Sequence, residues 1–219
     1  MSALFVREEH ETGFTPILKR HLEATPGAIA VAIVDAEGEA VDYAGDTIDP
    51  FDIKVAAATF RIILVELETG PHSKRAGLPK RLWVRGATKG YMLDALPDGY
   101  ALLAILDTDA ALGHASRTLD GTLRAIYREA GWAAPPELSH WSPVEVEIGP
   151  DQRPRAVRAQ QGWVRAVVIG RVATGLSTGE VGYRVELPEI TRPGSTNHEA
   201  TLVRGIDEVW YADLPISET

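Results

Sequence analysis

At 219 residues the chain is long enough for one or two domains with a sizeable core, and its 45% apolar and 24% charged residues set it apart from disordered chains. A formal charge of −9 argues against a nucleic-acid binder, because neutralising phosphates needs a positive surface. The absence of cysteine excludes disulfides, thiolate nucleophiles and cysteine-based zinc sites, and it fits the cytoplasm, the default compartment for a chain that opens without a secretory signal and has no apolar run long enough to span a membrane.

Thr15 and Pro16 read as a helix start, with a capping oxygen and a proline at the first helical position. Ile17, Leu18 and Leu22 supply an apolar edge until Pro26 and Gly27 end the helix. Ala28 to Val34 is apolar without alternation, as in a strand covered on both faces, and the turn Asp35 to Gly38 leads into a second strand, Glu39 to Ala44.

Asp49, Pro50 and Asp52 start a second helix that runs to Gly70. This helix carries two apolar stripes. Ile53, Ala57, Phe60, Leu64 and Leu67 form one, and Phe51, Val55, Ala58, Ile62 and Val65 form the other on the opposite side. A helix packed on its own sheet needs only one such face, so the second must meet either more of this chain or another subunit. The remaining elements already supply helices for the other side of the sheet, and we therefore expect the second stripe to be a dimer seam.

Beyond Pro79, Lys80 to Arg85, Tyr91 to Leu96 and Tyr100 to Leu106 read as a meander of three strands, the last two joined by the Pro97-Asp98-Gly99 turn. Asp107, Thr108 and Asp109 are read as the cap of a last helix whose apolar face is Leu112, Ala115, Leu119, Leu123, Ile126 and Tyr127, with Gly131 at its end. The order helix, two strands, helix, three strands, helix predicts an α/β (α+β type) domain over residues 14–132, a five-stranded, mainly antiparallel sheet between helices.

Ala133 to Glu137 is the best linker candidate, within a linker placed at 133–140. From Trp141 the helical period disappears. Short strands are expected near Val144 to Ile148, Arg155 to Ala159, Trp163 to Val172, Val181 to Leu187, Glu199 to Arg204 and Glu208 to Leu214. They predict a small all-β barrel or sandwich over 141–215, with Trp163 and Trp210 in its core. Its basic residues are all arginine.

Residues 14–132 resemble the roadblock (dynein light chain) family in element order and in phrases: Pro26-Gly27-Ala28 before the first strand, Val34-Asp35 to Gly38, the alanine-rich second helix, Lys89-Gly90-Tyr91 ahead of Pro97 to Tyr100, and Ala111-Leu112-Gly113. The resemblance implies a homodimer in which the second helices pair and the third strands, here Lys80 to Ala87, join edge to edge. Its interface would hold Phe51, Val55, Ala58, Ile62, Val65, Leu82 and Val84. It further implies a protein without catalysis or cofactor, a regulator or co-activator of a small Ras-like GTPase of the bacterial type. A dimeric scaffold in a signalling or motor complex is the alternative.

From Ser73 to Leu93 the chain has no acidic residue, and Lys74, Arg75, Lys80, Arg81, Arg85 and Lys89 are candidate partner contacts there. A solvated loop and a charge-protected edge strand would explain the same run. Other chemistry is weaker. Gly175, Ser177 and Gly179 match the G-x-S-x-G pattern, but no helix follows to make an elbow, so a turn is expected. Asp42, Asp46, Asp49 and Asp52 lack the spacing of a calcium loop, and helix capping accounts for the last two. Histidines 10, 21, 72, 114, 140 and 198 are scattered and are expected at the surface, and no phosphate-cradling glycine pattern occurs.

Overall fold

The computed structural model describes residues 10–45, 47–71, 73–135, 138, 141–159, 162–172, 176, 178–188 and 199–213. The chain divides into two compact units, residues 1–110 with 122–134, and residues 111–121 with 135–219.

In the first unit, α1 (Thr15–Ala24) is followed by the hairpin β1 (Ala28–Val34) and β2 (Ala40–Gly45), then by α2 (Pro50–Thr69) and a single turn, α3 (Ser73–Ala76). The meander β3 (Arg81–Arg85), β4 (Lys89–Ala95) and β5 (Ala101–Asp107) completes the sheet, and α4 (Leu112–Glu129) closes the α/β part of the chain. The sheet order is β2-β1-β5-β4-β3, and every pairing is antiparallel. α2 is the crossover that carries the chain from one edge strand to the other.

Local chemistry explains the turns. The Asp35 carboxylate accepts from the backbone N–H groups of Glu37 and Glu39, and Gly38 takes the left-handed conformation that closes the hairpin. At the end of α4, Gly131 is left-handed while Trp132 N–H donates to Tyr127 O and Gly131 N–H to Arg128 O. That bond pair is a Schellman cap, and the Trp132 ring rests on Tyr127 as its apolar contact, centroids 6.0 Å apart.

Strand alternation sorts the sheet into two faces. Ala30, Ala32, Val34, Leu93, Leu103 and Ile105 form one core with Ile53, Ala57, Phe60 and Leu64 of α2. On the other face lie Val31 and Ile33 of the buried β1, with α1 packed on β1 and β2. His21 of α1 bonds through Nδ1 to Thr122 Oγ1 of α4 at 3.0 Å.

Two starts differ from the sequence reading. Thr15 is the first residue inside α1 and not its cap; its hydroxyl donates 2.7 Å to the buried Asp42 carboxylate, which also accepts from Thr12 Oγ1 and from the Tyr43 N–H. Burying a carboxylate demands such donors, and that demand outcompetes capping. Asp107 to Asp109 end β5 and form a turn ahead of α4, which begins only at Leu112.

Among the described residues the second unit contains eight strands, β6 (Trp141–Val144), β7 (Val146–Ile148), β8 (Pro154–Ala159), β9 (Gly162–Arg165), β10 (Val167–Arg171), β11 (Val181–Glu186), β12 (Glu199–Arg204) and β13 (Trp210–Asp213). They form two sheets, β10-β11-β12-β13-β6 and β7-β8-β9, and not a closed barrel. Two of the expected strands are each broken at one residue, Glu145 or Ala166, and pass from one sheet to the other there. The broken residues keep their backbone bonds: Arg158 N–H donates to Glu145 O, and Ala166 N–H to Arg155 O. Val157, Val164, Val185, Leu187 and Leu202 lie in the core that the strands enclose, with Trp210 packed against it. Trp163 is not a core residue; it stands half-exposed on the outer face of β9.

The first half of α4 belongs to this unit. Arg117 forms an ion pair with Glu180, both buried, and its guanidinium lies 5.5 Å from the Trp141 ring centroid and 6.0 Å from that of Tyr211. His114 is buried edge-on against Tyr211, and with His21 it departs from the surface placement expected for the histidines.

Candidate functional site

The two stripes of α2 meet different fates. Asp49 caps the helix by accepting from Phe51 N–H at 2.9 Å, Pro50 occupies the first turn, and Gly70 N–H ends it on Glu66 O. Ile53, Ala57, Phe60 and Leu64 are buried against the sheet. On the opposite stripe Phe51 is 68% exposed, Val55 47% and Ile62 65%, with Ala58 and Val65 partly exposed beside them. Between the two stripes, Arg61 is buried and bonds Glu68 at 3.3 Å, and Lys54 Nζ lies 5.9 Å from the Tyr43 ring.

Where α2 sits on the sheet extends this surface. It packs against β1, β2 and β5, leaving the same face of β4 and β3 only partly covered. Leu82 pairs with Leu93, and Val84 with Tyr91, so Leu82, Val84 and Tyr91 continue the apolar core outward as a half-buried shelf. Between shelf and helix runs a groove of about 320 Å³ lined by Asp52, Val55, Thr59, Phe60, Lys89 and Tyr91 among others. β3 is an edge strand, with β4 as its one neighbour in the sheet. Burying side chains of this kind is worth about 1.5 to 3 kcal/mol each, so the exposed stripe leaves on the order of 5 kcal/mol of gross burial free energy unrealised in the single chain.

The basic residues divide. Lys74 and Arg75 project from α3, and Lys80 is exposed ahead of β3. Arg85 donates to Thr108 O at 3.1 Å, and Lys89 lines the groove. Arg81 is held by both oxygens of the buried Asp94 carboxylate, at 3.0 and 2.9 Å. That contact, a single Nε–H shared between the two oxygens, joins β3 to β4, a cross-strand match that no local pattern announces.

The other sequence candidates that are described form no metal or catalytic cluster. Among the described residues no group of three or more histidines and acids is placed to hold a metal. Gly175, Ser177, Asp46 and histidines 72, 140 and 198 lie outside the described residues. Among the described residues no helix is long and apolar enough to cross a membrane.

The site is thus an apolar helix face, a shelf and an open sheet edge on a five-stranded antiparallel sheet, and this part of the chain is similar to several solved structures. Myxococcus xanthus MglB aligns at 18% identity over 56% of this chain and 98% of its own, with a TM-score of 0.49. A Roadblock/LC7 domain from Streptomyces avermitilis aligns at 13% identity over 52% of this chain and 95% of its own, with a TM-score of 0.46. The gliding protein MglB of Thermus thermophilus aligns at 15% identity over 60% of this chain and 98% of its own, with a TM-score of 0.49. No protein-family model and no curated protein sequence matches the chain.

Proposed function

We propose that the protein is a non-catalytic homodimer that regulates a small Ras-like GTPase, with paired α2 helices and the neighbouring basic residues as its recognition platform. The observation that carries the dimer is the exposed stripe of Phe51, Val55 and Ile62 on a helix whose other face is already packed. The open edge of β3 supports it, because an unpaired edge strand is a ready template for a second copy of itself. Two-fold pairing would cover the stripe with its own copy and bring Leu82 and Val84 into the seam.

The GTPase is the partner that the roadblock resemblance implies, and Lys74, Arg75, Lys80, Arg85 and Lys89 would steer an acidic surface toward the platform. Regulation requires the dimer to bind one nucleotide state more tightly than the other, since equal affinity shifts no equilibrium. Sedimentation tests the dimer: the wild type is expected to sediment as a dimer at micromolar concentration and Ile62→Asp as a folded monomer. A wild-type monomer would overturn the reading. Binding to a small GTPase from the same organism, loaded with GDP or a non-hydrolysable GTP analogue, tests the partner. Equal affinity for both states would leave a scaffold in place of a regulator.

A further inference from the structure

The outer face of the sheet β7-β8-β9 carries an exposed tryptophan among arginines. Pairing places Arg158 opposite Trp163 and Ala156 opposite Arg165. Strand side chains alternate, so these four share one face, while Val157 and Val164 point into the core. Trp163 is 47% exposed, and the Arg158 guanidinium lies 5.7 Å from its ring centroid. Beside them runs a groove of about 820 Å³, lined by Trp163, Arg165, Arg155, Arg153 and Asp151 among others.

The charges of this groove are only loosely committed. Arg153 stands 3.7 Å from Asp151 and Arg155 3.8 Å from Glu147, and all four side chains are more than half exposed. Exposed pairs at such distances are worth under about 1 kcal/mol and exchange readily for a better acceptor. Arg165 makes no ion pair among the described residues. A guanidinium is also the group best matched to a carboxylate, through two parallel bonds.

We infer that this groove binds an acidic peptide segment of a partner protein, with an apolar or aromatic side chain against Trp163 and a carboxylate on Arg165. Trp163 and Arg165 are two residues apart on one strand, about 7 Å, which is the repeat of like-facing side chains on an extended peptide. Charge decides the class of ligand. The molecule carries a net charge of −9, which repels a long polyanion, whereas a short acidic segment feels chiefly the arginines within a Debye length of about 8–10 Å.

The test uses the full chain and fluorescence anisotropy of a fluorescein-labelled peptide of repeated Glu-Glu-Tyr-Tyr, which sets tyrosine and glutamate two residues apart on each face of an extended chain. The same peptide with lysine in place of glutamate and a single-stranded oligothymidylate are run alongside. The acidic peptide is expected to bind, to weaken as salt is raised, and to lose about tenfold in affinity in Arg165→Glu, the loss of one charge-assisted contact. Trp163→Ala should weaken it independently, and Arg165→Gln serves should the charge reversal disturb folding. Arg184→Glu, whose partner Glu199 lies 2.5 Å away in the other sheet, should leave binding unchanged. No binding of the acidic peptide, wild-type affinity in the Arg165 and Trp163 variants, or tighter binding of the oligothymidylate would each overturn the inference.

Discussion

Arg117 shows how much one residue can hold. Its burial draws the guanidinium's pKa below the ordinary arginine range, and the neighbouring Glu180 carboxylate works against that pull. Removing one partner of a buried pair leaves the other charged without compensation, so Glu180→Ala should destabilise the second unit by about 3 to 5 kcal/mol, read as a lower urea midpoint. A paired replacement, Arg117→Met with Glu180→Leu, should recover most of that loss, and equal losses in both proteins would refute the account. Tyr211 sits in the same cluster and donates to Asp207 at 2.8 Å. Burial first and that hydrogen bond second push its pKa upward. A phenol held protonated in the fold contributes stability that is whole below the unfolded tyrosine value of about 10 and is lost as pH climbs toward the raised folded value. The urea midpoint should therefore fall more steeply above about pH 10 in the wild type than in Tyr211→Phe.

At the scale of elements, α2 argues for two opposite mutational signatures on one helix. Phe60, whose ring lies 4.6 Å from Tyr91 inside the core, should cost about 3 to 5 kcal/mol on truncation to alanine while leaving self-association to whatever protein remains folded. Phe51→Asp, on the exposed stripe, should leave the monomer's fold intact and abolish association, and a Phe51→Asp protein that still sediments as a dimer would move the seam elsewhere. The two stripes were legible because a helical period of 3.6 sorts residues without knowledge of what they meet. The strands of the first sheet were legible for a related reason, since β1 and β5 are apolar enough to be buried on both faces. What stayed hidden depends on register. Arg81 finds Asp94, and Trp163 faces outward beside Arg158, only because β3 pairs with β4 and β8 with β9 in one particular alignment. The single-residue breaks at Glu145 and Ala166 carry no glycine or proline to mark them, so each sheet-switching strand pair reads as one strand. Thr15 looked like a cap because capping is local, whereas the buried Asp42 that claims its hydroxyl lies 27 residues away.

At the scale of the whole molecule, one helix is divided between two units, and that division has a measurable consequence. Residues 111–121 are compact with the β strands, and residues 122–134 with the first sheet. His114 and Arg117 are buried where Tyr211, Trp141 and Glu180 supply their partners. A chain ended at residue 134 keeps the sequence of α4 and loses Tyr211, Trp141 and Glu180 as partners of its first half. The guanidinium of Arg117 would then face water in a helix turn stripped of these contacts, and segments with few buried contacts open locally at low free-energy cost. The second half keeps Ile126 and Tyr127, buried in the first unit, and the Schellman cap at Gly131. Brief trypsin treatment should accordingly cut the shortened chain after Arg117 within the time that leaves this bond intact in the full-length protein. Equal protection of Arg117 in both chains would mean that the first unit orders the whole of α4 unaided, and that the contacts with Glu180 and Tyr211 are a consequence of the helix and not a condition for it.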